Sequence, residues 1–303
     1  MLTAGREVPV SKQDKVLFPQ AGLTKGDLAD HIRHVAEVML PHLRDRPLTL
    51  RRFPDGINAE GFIQKQVSEH FPEWLDTVDV PLREGGTQRA VLASDEAALT
   101  YLVDQATIEF HIWPSTATAL ERPDLLVIDI DPPDNGSPPI SELRSVARRL
   151  HDLFGELGMT PFLQTTGSRG FHVLAPLDRS EGYDAVRGLA ADIADTLVRA
   201  DPRRLTTEFR KEKRGDRIFL DINRNGYGQT FIAPYSPRAR PGASCAVPLD
   251  WSELNGAWPT GWDLRRLHRR LAQKPDPWRR LHDADLACSA ADAAGRLEKV
   301  RKG

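Results

Sequence analysis

An aliphatic run that ends in two aspartates, LLVIDID at residues 125–131, constrains the fold of this chain most strongly. Its length and composition predict a buried strand, in which alternate side chains point to the same face. Asp129 and Asp131 then share one face, and Ile130 points to the other. Two partly buried carboxylates side by side repel each other, and a divalent cation that prefers oxygen ligands would remove the repulsion. The alternative interpretation is an ordinary strand end with two solvated aspartates.

The pattern around this run favours a mixed or antiparallel sheet. The segment PFLQTTGSRGFHVLAPL, at 161–177, predicts two strands joined by a tight turn, rather than part of a doubly wound parallel sheet. Strands are also predicted at 125–130 and 218–222, and apolar stripes at helical spacing predict helices over 140–157 and 186–198. We therefore expect the α/β (α+β) class, with mixed or antiparallel sheets flanked by helices.

The two ends of the chain carry different signals. Near the start, Thr24 with Asp27 three residues later predicts a capped helix, which Pro41 should end. Beyond about residue 240 the chain is rich in Pro and Trp and then becomes helical and basic. This last part is expected either to wrap the core or to extend from it.

Composition excludes several classes of protein. The 303 residues suggest one large domain or two modest ones, and a formal net charge of −2 provides no global attraction to nucleic acid. Cys245 and Cys288 lack metal-type spacing and indicate a reducing cytosol. The sequence shows neither a signal peptide nor an apolar run of membrane length, so we expect a soluble, cytoplasmic protein without a membrane partner.

A third carboxylate follows another aliphatic strand. In IFLDIN, Asp221 shares a strand face with Phe219. If this strand neighbours the first one, three carboxylates could hold two cations that bridge an attacking and a leaving oxygen. Taken alone, Asp221 is equally compatible with an ordinary strand end.

The predicted turn between strands, TTGSRGFHV, has anion-binding chemistry. Gly167 and Gly170 bracket Ser168 and Arg169, and successive backbone amides in such a turn can form an anion-binding nest. The serine hydroxyl and the arginine fork add further phosphate donors. His172 follows on the next strand; the alternative is an ordinary half-buried strand histidine.

Basic segments flank the Asp221 strand. Arg214 lies in RRLTTEFRKEKRGDR before the strand, and Arg238 lies in SPRARPG after it. Such charge runs are also typical of solvated faces, and the acidic residues mixed into the first segment favour that alternative. Carboxylates for metals, a polyphosphate-binding turn and arginines together suit metal-dependent nucleotidyl transfer.

The order of these motifs resembles the archaeo-eukaryotic primase superfamily and, more closely, the polymerase domain of bacterial ligase D and its stand-alone relatives. The resemblance covers nearly the whole chain, and it includes the segments DKVLFP, GLTKGDL, GFIQK, IEFHIW and IAPYSPRAR. It implies a primase-type catalytic core and a metal-binding catalytic triad of Asp129, Asp131 and Asp221, with two divalent cations, Mn²⁺ or Mg²⁺.

The resemblance also implies roles for other residues. The implied nucleotide-binding residues are His111, near the ribose and primer end, and Ser168, Arg169, His172, Arg214 and Arg238, near the triphosphate. Lys15 and Lys25 match lysines that hold a DNA 5′-phosphate, and Phe62 matches a template-stacking aromatic. Three positions depart from the family pattern: Arg169 replaces a usual Lys, Ile63 replaces a second Phe, and Arg224 replaces a frequent Gln.

The implied activity is template-directed addition of nucleotides to a 3′-hydroxyl, filling gaps and extending ends in break repair such as non-homologous end joining, with a preference for ribonucleotides. The implied partners are DNA with gaps or double-strand breaks, ribo- or deoxyribonucleoside triphosphates, Ku and an ATP-dependent DNA ligase, in a nucleoid-associated cytoplasmic setting. We expect a stand-alone single domain over 1–303, with a DNA-contacting part at 1–120, a catalytic core at 121–240 and an extension at 241–303. Two rival functions stay open, a metal-dependent phosphodiesterase and a non-catalytic DNA-end-binding module.

Overall fold

Two β-sheets that face each other position the predicted chemistry. The computed structural model describes residues 6–133 and 139–302. Its strands are β1 (Val16–Phe18), β2 (Leu23–Thr24), β3 (Leu48–Arg52), β4 (Phe62–Gln64), β5 (Thr77–Pro81), β6 (Thr87–Val91), β7 (Thr107–Ile112), β8 (Leu125–Asp131), β9 (Phe162–Thr165), β10 (Phe171–Pro176), β11 (Leu205–Thr206), β12 (Ile218–Asp221), β13 (Phe231–Ile232) and β14 (Val247–Leu249). The helices are α1 (Lys25–Leu43), α2 (Glu96–Asp104), α3 (Ile140–Glu156), α4 (Tyr183–Ala200), α5 (Leu264–Gln273) and α6 (Ala290–Lys302).

The six-stranded sheet has the order β11-β12-β8-β10-β9-β14, and its pairs are antiparallel except for β11 with β12. The aspartate strand β8 is therefore central, with β12 on one side and β10 on the other. Helices α3 and α4 pack against β8 and β10, where Ile128 and Ile130 are fully buried. The predicted hairpin and mixed sheet are confirmed, because β9 and β10 pair in antiparallel register around a short turn.

The four-stranded sheet, β13-β7-β3-β4, faces the carboxylate side of the first sheet. The two sheets meet where the His172 ring packs edge-on against Phe231, with centroids 5.8 Å apart, and where Gln164 donates a hydrogen bond to the Ile232 carbonyl. The space between the two sheets is therefore where side chains from both can act on one ligand.

Helix α1 begins as predicted but ends later. Thr24 and Asp27 form the expected capping box, with each side chain accepting a hydrogen bond from the other residue's backbone amide. The predicted end at Pro41 is wrong, because the helix runs through this proline to Leu43. Proline removes a single amide donor, and in the final turn the Arg44 amide still bonds to the Leu40 carbonyl.

The C-terminal part wraps the core, which decides between the two expectations for this segment. Strand β14 joins the six-stranded sheet beside β9, α5 packs on α1, and α6 packs on α4. Trp278 is buried and donates its indole N–H to the Leu163 carbonyl over 3.0 Å. Arg270 anchors the same region by pairing with Glu253. Strands from all three predicted parts thus contribute to the two sheets, and the single-domain division stays a prediction.

Two further findings concern the whole described chain. None of the helices within 6–133 and 139–302 has the length and apolar character needed to cross a membrane. Cys245 is buried and Cys288 half-buried, and both carry free thiols.

Candidate active site

The three predicted aspartates lie on one face of the six-stranded sheet. Asp221 on β12 and His172 on β10 are both directly opposite Asp129 on β8, and Phe219 is directly opposite Asp131. Directly opposite residues in antiparallel strands place their side chains on the same face. The carboxylate face, defined by Asp129, Asp131 and Asp221, therefore has the arrangement that the sequence pattern predicted.

Asp129 is the most buried of the three carboxylates and has nitrogen donors close to both of its oxygens. His172 Nε2 lies 3.5 Å from its Oδ1, and Arg224 Nε lies 3.4 Å from its Oδ2. Burial opposes ionisation, but the neighbouring His172 and Arg224 outweigh it and lower the pKa of Asp129. Within the described residues, Asp129 Oδ1 accepts no hydrogen bond although it is buried.

Asp221 is held from its own loop. Its Oδ1 accepts hydrogen bonds from the Asn223 amide over 2.8 Å and the Asn223 side chain over 2.7 Å. Arg224 Nη2 lies 3.6 Å from the other oxygen, Oδ2. Arg224 therefore contacts both Asp129 and Asp221.

Asp131 has the opposite electrostatic character. Burial and the negative charge of Asp129 raise its pKa to about 7, against the partial relief given by Arg169 and Arg224. Burial and the neighbouring carboxylates thus oppose ionisation of Asp131 more than Arg169 and Arg224 favour it. An added divalent cation would shift this balance, because it would favour the ionised form of every ligand.

The residues fit the divalent cations that the resemblance implies. The buried Oδ1 of Asp129 accepts no hydrogen bond in the described chain, and Asp131 and Asp221 add two more hard-oxygen groups. Among residues 6–133 and 139–302, however, no group of three or more ligating side chains is drawn together closely enough to hold a metal ion here. Arg224 lies between two of the three carboxylates instead.

The turn between β9 and β10 is closed by its own hydrogen bonds. The hydroxyl of Thr166 accepts from the amides of Ser168 and Gly170, over 3.3 Å and 3.2 Å. The predicted anion-binding nest therefore has two of its amides already in use. Among the side chains of the turn, the Ser168 hydroxyl accepts a hydrogen bond from Arg240 Nη2 over 2.8 Å. The sequence reading did not identify Arg240, although it lies in the SPRARPG segment.

Two glycines allow this turn to pack closely against its neighbours. A Cβ on Gly170 would lie 1.8 Å from the Ile130 carbonyl oxygen, so the turn backbone touches the aspartate strand itself. Gly167 has a φ of +64°, and a Cβ there would lie 2.6 Å from the Cys245 backbone. Both positions therefore require glycine, one for close approach and the other for a left-handed conformation as well.

A buried glutamate in the facing sheet organises the predicted nucleotide-binding residues. Glu109 on β7 accepts from the Ala239 amide over 3.0 Å and pairs with His111 at 3.0 Å, Arg51 at 3.2 Å and Arg238 at 3.5 Å. Burial raises its pKa, but these partners outweigh burial and lower the value to about 2. We call these residues the Glu109 cluster. Sequence reasoning missed Glu109, although its two-residue spacing from His111 places both on one face of the strand.

Arg238 links this cluster electrostatically to the carboxylate face. Its Nε is buried and makes no hydrogen bond within the described chain, and its charge acts on Asp129 as well as on Glu109. His111 lies beside it, and burial lowers the pKa of His111 against the opposing effect of Glu109. Arg238 and His111 thus lie across the cleft from the three carboxylates.

Arg214 lies beside the same face but is engaged elsewhere. Its guanidinium carbon lies 3.6 Å from the centroid of Phe219, the residue directly opposite Asp131. It donates to the backbone carbonyls of Glu208 and Phe209. In the described part of the chain, Arg214 is thus held by a ring and two carbonyls rather than by the carboxylates.

Comparison with known proteins assigns this site to a family. The model of the family described as LigD, primase-polymerase domain, matches residues 24–278. The chain belongs to this family. The resemblance, the primase-type fold class and the predicted enzyme class, a nucleotidyltransferase of the DNA-directed polymerase type, are thereby confirmed.

Individual relatives agree with the family match. The chain is 33% identical over 305 residues to the multifunctional non-homologous end joining DNA repair protein LigD of Mycobacterium tuberculosis, covering 98% of this chain and 39% of the relative. It is 35% identical to LigD of Pseudomonas aeruginosa, covering 98% of this chain and 34% of that protein. The chain therefore spans little more than a third of the length of these curated relatives.

A solved structure supports the same family. The polymerase domain from Mycobacterium tuberculosis ligase D, in complex with DNA, matches with a TM-score of 0.85 and 31% identity, covering 91% of this chain and 98% of that one. Polymerases of this LigD family are generally dependent on divalent metals, which agrees with the ligand set on the carboxylate face.

The predicted 5′-phosphate lysines of this LigD-type domain line one cavity of about 210 Å³. Lys25 is buried and pairs with Asp104 at 2.6 Å, while Lys15 pairs with Asp55 at 2.9 Å. Lys12 and Arg52 line the same cavity. Lys25 is thus not a solvated surface lysine, because its ammonium is buried inside a polar pocket.

Phe62 lies on an exposed strand near that pocket. Its ring is 46% exposed on β4, with the Arg52 guanidinium carbon 5.1 Å from the ring centroid. Ile63, which departs from the family pattern, is 62% exposed. A larger cavity of about 560 Å³ lies elsewhere, around Arg46 and Asp124, and none of the predicted site residues lines it.

Proposed function

We propose that this chain is a template-directed polymerase that adds nucleotides to a DNA 3′-hydroxyl, filling gaps and extending ends during break repair. The observation that carries the proposal is the cleft itself, in which the carboxylate face of one sheet lies opposite the Glu109 cluster of the other. Metal-binding and phosphate-binding groups on opposite walls suit a nucleoside triphosphate whose phosphates bridge protein and cations.

The chain's own residues bind and orient the reactants. Asp129, Asp131 and Asp221 would hold the cations, which when bound activate the 3′-hydroxyl and stabilise the leaving pyrophosphate. Arg238 and Ser168 hold the triphosphate, with Arg169, His172 and Arg214 as further nucleotide-binding residues. His111, fixed in orientation by Glu109, would contact the ribose and primer end.

The biological setting follows from the relatives. LigD proteins act in non-homologous end joining, and the ligase D polymerase domain has been solved with DNA. We extend this role to the present chain, with gapped or broken DNA as substrate, Ku and an ATP-dependent DNA ligase as partners, and a cytoplasmic location at the nucleoid. A preference for ribonucleotides and the use of Mn²⁺ or Mg²⁺ belong to the same proposal.

Primer extension on a gapped duplex tests the activity. We expect a labelled primer to lengthen when nucleotides and Mn²⁺ or Mg²⁺ are present, and to stay unchanged when EDTA is added. Ribo- and deoxyribonucleotides are compared in parallel reactions. Shortening of the labelled strand without nucleotides would support the phosphodiesterase instead, and metal-independent DNA binding without extension would support the end-binding module.

The lysine-lined cavity gives a second test, of DNA-end recognition. A terminal phosphate carries more charge than an internal one, so a gap with a 5′-phosphate should bind more tightly than the same gap with a 5′-hydroxyl. Lys15→Ala combined with Lys25→Ala should remove the difference while extension on an open-ended template is kept. The difference should shrink as salt rises, because the counter-ion release that favours binding of a DNA phosphate contributes less at high salt.

Lys302→Ala, at the end of α6 and outside the cavity lining, is the matched control and should behave as the unmodified protein does. Equal affinity of the unmodified protein for the two gaps at low salt would rule out end recognition by this cavity.

A further inference from the structure

Arg224 is placed where a catalytic cation is expected to act. It lies in the short 3₁₀ turn Asn223–Asn225 directly after β12. Its Nε lies 3.4 Å from Asp129 Oδ2 and its Nη2 lies 3.6 Å from Asp221 Oδ2. A single guanidinium therefore contacts carboxylates on two neighbouring strands.

The backbone of Arg224 is fixed by the residues on either side. Asn225 is fully buried and brackets Val127 of the aspartate strand, accepting from its amide over 2.8 Å and donating to its carbonyl over 2.6 Å. On the other side, Asn223 binds Asp221 through both its amide and its side chain. The turn is thus attached to both carboxylate strands, which makes the position of Arg224 a built feature of the site.

The contacts of the guanidinium itself are charge pairs rather than good hydrogen bonds. Arg224 Nε is buried but has no hydrogen-bond partner within the described residues, so its 3.4 Å approach to Asp129 lacks hydrogen-bond geometry. The side chain as a whole is 36% exposed. It can therefore withdraw into solvent while its backbone stays in place.

We propose that Arg224 is an internal counter-ion that competes with the catalytic cations for Asp129 and Asp221, and so sets the metal concentration that the enzyme requires. This inference rests on the proposed metal-dependent function. Arg224 stabilises the carboxylate face when it lies between the two aspartates, and it must share or leave that place when a cation is bound. The same contact that stabilises the fold thus lowers the affinity for metal.

The proposal predicts opposite effects of metal on one variant. Arg224→Gln keeps a polar side chain of similar reach but removes the charge, so Asp129 and Asp221 are left to repel each other. Without metal its thermal midpoint should fall by about 2 °C, as expected for the loss of about 1 kcal/mol in a domain of this size. In saturating Mn²⁺ that deficit should disappear, because the cation replaces the missing charge. Its Mn²⁺ affinity should rise about tenfold, since the competing charge is gone.

Two further variants control the measurement. Arg224→Lys keeps the charge and should bind Mn²⁺ within about threefold of the unmodified protein, since an ammonium still competes for the carboxylates. Arg204→Gln removes an arginine that pairs with a different carboxylate, Asp201 at 2.8 Å, outside the carboxylate face. It should change neither Mn²⁺ affinity nor the dependence of the thermal midpoint on Mn²⁺.

The experiment titrates Mn²⁺ against each protein while the free ion is followed by electron paramagnetic resonance, and records thermal midpoints in EDTA and in saturating Mn²⁺. The proposal is overturned if Arg224→Gln binds Mn²⁺ no more tightly than the unmodified protein. It is also overturned if the deficit of Arg224→Gln is equal with and without Mn²⁺, or if Arg224→Lys binds Mn²⁺ as tightly as Arg224→Gln. An unmodified protein that binds no Mn²⁺ at all would instead overturn the proposed function on which the inference rests.

Discussion

Two acidic sites face each other across the cleft, and the protein's own groups balance their negative charges to different degrees. Glu109 has a hydrogen bond or ion pair for each of its oxygens, and its pKa is lowered to about 2. On the opposite wall, Asp131 has a pKa raised to about 7, and Asp129 Oδ1 is buried without a hydrogen bond in the described chain. A charge that the protein balances itself serves to position other groups, whereas a charge left unbalanced is suited to an added cation.

The largest expected effect is a loss of primer extension when the carboxylate face is altered. Asp131→Asn should reduce primer extension at least a thousandfold, equivalent to about 4 kcal/mol of lost transition-state stabilisation. Its stability in the absence of metal should hold or rise, because one of two repelling carboxylates is gone. Extension rates and urea unfolding measure the two quantities. Asp129→Ala should lose extension in the same way, and near-normal extension by either variant would contradict the metal-ligand role.

Glu109→Gln should show the reverse pattern, with stability as its main loss. Removing the charge leaves buried Arg238 without its counter-ion, at a cost of about 3 kcal/mol at pH 7. The pKa of Glu109 is lowered from its unfolded value to about 2, so its stabilising effect is present above about pH 4.5 and is lost as pH falls toward 2. Urea unfolding of both proteins between pH 7 and pH 3 should therefore show that the difference in their unfolding free energies shrinks as the pH falls.

A matched variant guards this result. Glu121→Gln alters an exposed pair with Arg83, in which the glutamate side chain is 57% exposed, and should change stability by less than about 0.5 kcal/mol. A pH-independent deficit in Glu109→Gln would mean that packing, rather than charge, is what Glu109 contributes.

Variants of the phosphate-binding side chains should have intermediate effects. Arg238→Ala and Ser168→Ala each remove one donor to the triphosphate, and a charge-assisted phosphate bond contributes about 1.5–3 kcal/mol. We expect nucleotide affinity to fall about tenfold or more for Arg238→Ala, and less for Ser168→Ala. DNA affinity should change little in both. A loss of DNA affinity with unchanged nucleotide binding would reverse the assignment of these residues.

The smallest expected effect is on stability, at an acidic residue that lies outside the cleft. Glu253 pairs with Arg270 and Lys274 in the C-terminal part, and these partners outweigh burial and lower its pKa to about 2. Because it lies nearer to solvent than Glu109, Glu253→Gln should cost about 1 kcal/mol at pH 7. The cost should fade below about pH 4.5, and primer extension should be unaffected. Reduced extension would show that the C-terminal part influences the cleft.

The sequence predicted those features that depend only on the spacing of residues along the chain. The two-residue period of β8 correctly placed Asp129 and Asp131 on one face, and the Thr24 capping box was readable from four consecutive residues. Partnerships between distant segments were not readable. The Ala239 amide reaches Glu109 across 130 positions, and no local pattern announces that contact.

The same limit explains the two partial misreadings at the site. The glycine-rich turn indicated free backbone amides, but Thr166, a residue inside the motif, binds two of them with its hydroxyl. Arg224 was noted only as a departure from a family pattern, since its contact with Asp129 depends on how β12 pairs with β8. Local sequence fixes which groups are present, while strand register decides which of them meet.

The contact between Gly170 and Ile130 ties two functions together mechanically. The turn expected to hold the triphosphate and the strand that carries the catalytic aspartates touch through backbone atoms, with no intervening side chain that could be exchanged for a longer or shorter one. Substitutions elsewhere can change how tightly a nucleotide is held. The distance from that turn to the aspartate strand, however, can change only if the backbone itself moves. The backbone fold therefore sets how a phosphate on the turn would be aligned with a metal on the strand.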